Sequence, residues 1–265
     1  MKNPKVLVLR TAGTNCDKET VFAFKRAKAI VDLVHINCLL AKKNILRGYQ
    51  ILAFPGGFSY GDDIAAGKIL ANELKNKLGD DLKDFIRKGK LIIGICNGFQ
   101  ILVKAGLLPG GDTSKQEVTL TINDSGKFED RWVNLKTSYS GIKVSKCIWT
   151  RDLPEVIYLP VAHGEGKFVA QDEAVLRRLR DNGQVVIRYC DRNGDAKGYP
   201  FNPNGSFDDI AGICDETGRI FGLMPHPERN IQFSQNPHWT RNPAKTEPDG
   251  IKIFLNAVNY ARKAF

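Results

Sequence analysis

Four short apolar runs punctuate the N-terminal part of the chain: Val6-Leu-Val-Leu9, Ile30-Val-Asp-Leu-Val-His-Ile36, Ile51-Leu-Ala-Phe54 and Leu91-Ile-Ile-Gly-Ile95. Helical patterns separate the first from the second and the third from the fourth. Runs this short and this continuously apolar are buried on both faces when crossover helices cover them. The alternation therefore predicts an α/β fold with a doubly wound, mostly parallel sheet and flanking helices, the flavodoxin-like class. Ligands of such sheets sit outside the C-terminal strand ends, which points to three loops, residues 11–17, 55–67 and 96–100. From about residue 110 to 159 the pattern changes to shorter, more polar alternations, including Val118-Thr-Leu-Thr-Ile122 and Trp132-Val-Asn-Leu135. These predict a small antiparallel β insertion near residues 112–160. Residues 172–180 read as a helix, and 185–187, 210–213 and 220–224 as strands. Residues 191–206 form a loop rich in Gly, Asn and Pro. Residues 232–248 are polar and irregular, and 251–262 close the chain as an amphipathic helix. We expect a single domain over 1–265 with a C-terminal extension near 230–265.

Composition narrows the picture. A chain of 265 residues is long enough for a large core. No apolar run reaches the length of a secretory or membrane-spanning segment, so a soluble, cytoplasmic protein without a membrane partner is expected. The six cysteines are scattered without CxxC spacing, which reads as reduced thiols rather than a disulfide framework or zinc site. No HExxH or Asp-rich calcium loop occurs, so no metal is expected. The formal charge of +10 admits nucleic acid, an acidic partner or simple solubility. Basic residues between 75 and 90 alternate with Asp80, Asp81 and Asp84. No RNP, zinc-finger or homeodomain pattern accompanies them, so they read as solvated helix faces and no nucleic-acid partner is expected.

The run Leu91-Ile-Ile-Gly-Ile-Cys-Asn-Gly-Phe-Gln100 ends abruptly on a cysteine followed by helix-compatible residues. Gly94 and Gly98 flank Cys96, the arrangement that a sharp strand-to-helix turn needs. The thiol would then sit at a helix N-terminus, where unpaired amides favour the thiolate. A buried structural cysteine after a strand is the alternative. A thiol nucleophile needs a base, commonly held by a third group. His226 follows a strand pattern within Pro225-His-Pro-Glu-Arg229, with Glu228 in reach of its ring. His163, in Ala162-His-Gly-Glu-Gly-Lys-Phe168, is the second choice as base, its loop reading as substrate-binding or as an ordinary turn. His35 and His238 read as structural. Acyl transfer also needs an oxyanion hole. The amide of Asn97 can supply one donor, and Pro55-Gly-Gly-Phe-Ser-Tyr-Gly61 a second, from Gly57 or Phe58. The same segment could be a phosphate-binding turn, but it lacks the P-loop ending and full GxGxxG spacing.

Taken together, Gly94-x-Cys96-x-Gly98-x-Gln100 and Pro225-His226-Pro-Glu228 resemble class I (triad-type) glutamine amidotransferases. Further segments are similar to the glutaminase-subunit branch that serves phosphoribosylformylglycinamidine synthase. They are Arg10-Thr-Ala-Gly-Thr-Asn-Cys-Asp17, Pro55-Gly-Gly-Phe-Ser-Tyr-Gly-Asp-Asp-Ile64 with Ala66-Gly67, His163-Gly-Glu-Gly166 and Met224-Pro-His-Pro-Glu-Arg229. The resemblance implies that Cys96 is the nucleophile, His226 the general acid/base and Glu228 its orienting carboxylate. The residues themselves point to Gly57 and Asn97 as the oxyanion hole, and the resemblance implies Gln100, His163, Gly164, Glu165 and Phe168 as glutamine-holding positions. L-glutamine would be the substrate, and the ammonia would pass to an ATP-dependent synthetase subunit in purine biosynthesis. ATP and magnesium would bind that partner, leaving no cofactor in this chain. Residues 232–248, with Pro237-His-Trp-Thr-Arg241, depart from the compact form of the subunit, which works with a synthetase plus a small accessory subunit, and look more like the tail of the fused single-chain enzyme. The partner set therefore stays open between a synthetase with and without the accessory subunit. Two alternatives to the whole reading are a glutaminase subunit of another synthetase and a non-catalytic regulatory scaffold that keeps the elbow.

Overall fold

The protein is described by a computed structural model covering residues 3–42, 44–111, 115–137, 145–241 and 247–265. Residues 112–114 and 138–144 of the expected insertion, and 242–246 of the expected extension, lie outside the described residues. The N-terminal half runs β1 (Lys5–Arg10), α1 (Asp17–Arg26), β2 (Ile30–His35), α2 (Ile36–Ala41), β3 (Ile51–Phe54), α3 (Lys68–Arg87), β4 (Leu91–Ile95) and α4 (Asn97–Lys104). The remainder runs β5 (Val118–Thr121), β6 (Glu129–Thr137), β7 (Val156–His163), β8 (Lys167–Ala170), α5 (Glu173–Asp181), β9 (Val185–Cys190), β10 (Ile210–Cys214), β11 (Ile220–Leu223) and α6 (Ile251–Ala264).

Nine strands form one sheet in the order β2-β1-β3-β4-β11-β10-β9-β6-β7. The pairings from β2 to β11 are parallel, and β3, β4 and β11 are buried at every position. That is the physical meaning of their unbroken apolar runs: both faces are covered. The chain moves from β1 to β2 in one direction and from β3 to β4 in the other, so right-handed crossovers place α1 and α3 on opposite faces. Phe24 of α1 meets Phe254 of α6 edge-on at 4.9 Å, tying the closing helix to the α1 face. Between β1 and β3, where the connections diverge, the loops at their C-terminal ends face each other, and a single antiparallel bridge joins Thr14 to Gly57.

Two local expectations shift for identifiable reasons. Ile36 does not extend β2, because the His35 ring accepts a hydrogen bond from the Asn37 amide at 3.2 Å and caps α2 instead. The antiparallel segment is also divided. β5 pairs with β8 in a two-stranded ribbon, whereas β6 pairs with β7 along Glu129–Lys136 and with β9, extending the large sheet.

The packing that positions the site is the approach of α4 to the sheet. A Cβ on Gly98 would lie 1.9 Å from the Phe54 carbonyl oxygen, and one on Gly94 would lie 2.5 Å from the Gly98 carbonyl oxygen. Gly98→Ala must therefore separate α4 from β3. The expected cost is about 3 kcal/mol, a fall of roughly 6–12 °C in Tm, measured by thermal unfolding. An unchanged midpoint contradicts the contact.

Candidate active site

Cys96 sits between the end of β4 and the first turn of α4 with φ 52° and ψ −108°. A residue with a side chain occupies such a backbone only under constraint, at a cost of about 1–3 kcal/mol. The constraint is visible on both sides. The Cys96 amide donates to the Leu223 carbonyl of β11 at 2.8 Å, and the Cys96 carbonyl accepts from Phe99 and Gln100 as α4 begins. The result is a strand-to-helix elbow whose cysteine is 5% exposed, with Sγ 3.7 Å from the Ala162 carbonyl oxygen of β7.

The β11 strand ends beside it. Pro227 opens a single 3₁₀ turn, and the His226 amide donates to the Pro160 carbonyl of β7 at 2.8 Å, which fixes the histidine backbone between β7 and β11. His226 Nδ1 donates to Glu228 Oε1 at 2.6 Å, with the two side chains 2% and 0% exposed. With the carboxylate as acceptor, Nδ1 carries the proton and Nε2 is the free end. That nitrogen is buried without a hydrogen-bond partner in the resting protein. Burial opposes charge on His226. The Glu228 carboxylate, the Cys96 sulfur and the Cys16 sulfur more than offset it, holding the imidazole well above its ordinary value.

His163, at the end of β7, has the opposite character. Its Nδ1 lies 3.2 Å from Asn123 Oδ1, and its Nε2 is buried without a partner. Burial, and then the neighbouring charge of His226, push its pKa down to about 3. A ring that stays neutral at physiological pH, with no carboxylate behind it, is the weaker of the two bases considered.

The loops around the thiol are held mainly by side-chain amides. Asn97 Oδ1 accepts from both the Ser59 amide and the Ser59 hydroxyl, while its Nδ2 donates to Asp62 Oδ1 at 3.1 Å and to Gln100 Oε1 at 2.9 Å. Gln100 Nε2 in turn donates to the Glu165 carbonyl, so both ends of the Gln100 amide are engaged in joining the elbow to the 163–166 loop. Asn123 Nδ2 donates to the His163 carbonyl at 2.8 Å, and its Oδ1 accepts from the Gly166 amide at 2.9 Å. The Gly164 carbonyl accepts from the Asn123 amide, and Glu165 Oε2 accepts from the Ala66 amide at 3.4 Å. Cys96, His226, Glu228, Asn97, Gln100, His163, Gly164 and Glu165 are therefore brought together.

Phe168 lies on β8 with a fully buried ring packed in the hydrophobic core, because the alternation of that strand turns it inward. Of the two amides considered for the second oxyanion donor, that of Phe58 is taken by the Gly13 carbonyl at 2.9 Å. Gly57 remains. The Asn97 amide lies in the first turn of α4, where a helix offers no carbonyl partner to its amides.

Sequence reasoning did not single out Cys16, Arg229, Asn123, Asp62 or Lys104. Cys16 lies in the loop after β1, one of the strand-end loops, and its Sγ is 4.0 Å from His226 Nδ1. Asp62 is held above the ordinary carboxylate range by burial and by Glu165, and Lys104, buried against the Ala66 carbonyl, is held below the ordinary lysine range by burial. Among the described residues, Cys16, His226 and Glu228 bring donor atoms within 4.8 Å of one another. The Arg229 guanidinium, 3.1 Å from that sulfur, and the His226–Glu228 hydrogen bond occupy those donors, so we assign no metal to them.

Asn97→Ala keeps the residue's own amide but removes the side-chain bonds to Ser59, Asp62 and Gln100. We expect a loss of about 2–3 kcal/mol and amide exchange at residues 56–62 faster by about tenfold or more. Unchanged exchange in that loop, measured by mass spectrometry, rules out its tethering through Asn97.

Comparison with known proteins supplies further findings. Residues 3–261 match the CobB/CobQ-like glutamine amidotransferase domain. The phosphoribosylformylglycinamidine synthase subunit PurQ of Dehalococcoides mccartyi is 52% identical over 264 residues, covering 99% of this chain and 100% of that protein. The subunit PurQ of Methanococcus maripaludis strain S2 is 47% identical, with 98% of each chain covered. A chain in the structure of PurLQS from Thermotoga maritima superposes with a TM-score of 0.73 at 32% identity, covering 98% of this chain and 99% of that one. A second Thermotoga maritima structure, of a glutamine amidotransferase, has a TM-score of 0.53 at 16% identity and is similar in fold alone. The match to the Dehalococcoides protein spans that protein's full length and nearly all of this chain, C-terminal extension included.

Proposed function

This chain belongs to the CobB/CobQ-like glutamine amidotransferase family, and on that premise we propose that Cys96, His226 and Glu228 are its catalytic triad, releasing ammonia from L-glutamine for a synthetase. The enzyme is the glutamine-hydrolysing subunit that serves phosphoribosylformylglycinamidine synthase. The observation that carries the assignment of roles is the meeting of a cysteine at positive φ on a strand-to-helix elbow with a buried histidine held 2.6 Å from a buried carboxylate.

The chemistry follows from those positions. His226 Nε2 takes the Cys96 thiol proton, the resulting thiolate attacks the side-chain amide carbon of glutamine, and the amides of Gly57 and Asn97 receive the developing oxyanion. The carbon–nitrogen bond breaks as His226 passes its Nε2 proton to the departing nitrogen, which leaves as ammonia. A water molecule, deprotonated by His226, then attacks the γ-glutamyl thioester, releasing glutamate and returning the proton to the sulfur. Glu228 keeps Nδ1 protonated and supports the imidazolium. The 163–166 loop, anchored by Asn123 and Gln100, is where we place the bound amino acid. Neutral His163 contributes an uncharged ring edge there rather than a second base.

The partner is the ATP-dependent synthetase subunit, which makes formylglycinamidine ribonucleotide for purine biosynthesis. We place ATP and magnesium on that partner, and a small accessory subunit in the same assembly. No helix among the described residues is long and apolar enough to cross a membrane, and a cytoplasmic setting fits a supplier of ammonia to a nucleotide pathway. Because Cys96 and His226 are almost entirely buried, glutamine enters only when one of the surrounding loops moves, and docking of the synthetase is the event that we expect to favour that motion.

Two tests follow. In the assembled enzyme, Cys96→Ala removes glutamine-dependent synthesis while free ammonia still supports it. Loss of both activities contradicts the division of labour. Glu228→Gln impairs turnover less than Cys96→Ala, because an orienting group contributes less than the nucleophile. Labelling with 6-diazo-5-oxonorleucine and peptide mapping should place a single adduct on Cys96, faster with the synthetase present. An adduct spread over several cysteines counts against the assignment.

A further inference from the structure

Resting on the glutaminase reading above, we infer that Cys16 is a positioning residue: its sulfur holds the Arg229 guanidinium away from Glu228, so that the carboxylate serves His226 alone. The geometry is specific. Arg229 follows Glu228 directly in sequence, and its side chain is half-buried. Glu228 is completely buried, Oε1 accepts from His226, and Oε2 has no hydrogen-bond partner. An arginine beside a buried carboxylate with an unused oxygen would ordinarily form a paired contact with it. Among the described residues no such ion pair forms. Instead Arg229 Nη2 donates to Cys16 Sγ at 3.1 Å, and that sulfur lies within 4.8 Å of a Glu228 carboxylate oxygen.

Cys16 is well placed to intercept the cation. Its amide donates to the Gly56 carbonyl, its carbonyl accepts from the Thr20 amide and hydroxyl, and its thiol donates to Asn15 Oδ1 at 3.1 Å. It therefore cannot drift. Gly56 completes the enclosure. A Cβ there would stand 2.7 Å from His226 Cε1, 3.2 Å from Cys16 Sγ and 3.4 Å from Cys96 Cβ, so the histidine edge and both cysteines share one wall.

The consequence is electrostatic. The groups that face His226 are Glu228 from its own segment, Cys96 from the elbow, Cys16 from the loop after β1 and neutral His163 from β7, while Arg229 faces Cys16 and Glu228. Glu19 of α1 faces Arg229. If Arg229 reached Glu228 Oε2, part of the carboxylate's charge would be spent on the guanidinium, and the imidazolium would lose its proton at lower pH.

The test is the pH dependence of glutaminase kcat/KM over roughly pH 6 to 10, measured in the complex with the synthetase. Cys16→Ala should move the alkaline limb toward neutrality by about one pH unit, roughly a tenfold loss at the upper end of the range. Cys16→Ser, whose oxygen still accepts from Arg229, should keep the limb in place. The double variant Cys16→Ala with Arg229→Gln should restore it, since the competing cation is gone. Should the alanine variant not fold, Cys16→Val fills the space without accepting a hydrogen bond and should give the same displacement. An unmoved limb in a folded Cys16→Ala or Cys16→Val protein, or a displacement that Arg229→Gln fails to reverse, overturns the inference. If the wild-type complex itself releases no glutamate from glutamine, the glutaminase reading fails first, and the two failures are told apart.

Discussion

The site depends on how closely α4 can be laid against β3 while the chain reverses at Cys96. Two glycines set that distance. Gly98 brings the first turn of α4 onto the Phe54 carbonyl, and Gly94 lets the returning helix pass over β4. A side chain at either position would widen the elbow, and Cys96 would relax out of its positive φ. The strained residue is retained because its amide is fixed to β11 and its carbonyl begins a helix. The buried strands on either side supply the rigidity that opposes relaxation. The orientation of the sulfur toward the loops, the direction of the Asn97 amide and the proximity of His226 all follow from this one packing distance.

A second consequence is the division of labour between two buried histidines. His226 and His163 are each 2% exposed, so burial pushes both toward the neutral form. What separates them is one carboxylate. Glu228, two residues along and inside hydrogen-bonding distance, reverses the effect at His226. His163 has only the amide of Asn123 and feels His226 as a repelling charge. The same low dielectric that makes an unpaired charge costly makes the paired one strong, so proximity to a carboxylate decides which ring carries protons.

Much of this was legible in the sequence because it is local. The elbow spans five residues, and His226 with Glu228 spans three; a short segment with prolines and glycines encodes its own geometry. The parallel half of the sheet was equally readable, since β3 and β4 announce burial on both faces. Non-local pairing was less so. Nothing in the alternation of Trp132-Val-Asn-Leu135 says that β6 will join β9 rather than close a separate ribbon, because the choice is made by a partner strand far along the chain. The placement of Phe168 was hidden for a related reason: it adjoins the His163 loop in sequence, but the strand period turns its ring into the core. Asn97 and Asn123 look like ordinary polar residues until the loops that they tie are brought around them. Cys16 was one of six cysteines without spacing to distinguish it.

The arrangement also shows how the loops around the buried thiol depend on one another. The thiol is surrounded by segments from the ends of β1, β3, β4, β7 and β11: Cys16, Gly56, Asn97, His163 and His226 each come from a different one. They are tied to one another by side-chain amides and single backbone hydrogen bonds rather than by continuous secondary structure. Asn97 couples the loop after β3 to the elbow, Gln100 couples the elbow to the loop after β7, and the Cys16 amide couples the loop after β1 to Gly56. A protein surface that displaces any one of these loops therefore acts on the others through one or two hydrogen bonds, each worth about 1 kcal/mol net. Weak ties at the loops and a constrained elbow are thus complementary: displacing a loop would uncover the thiol without moving it.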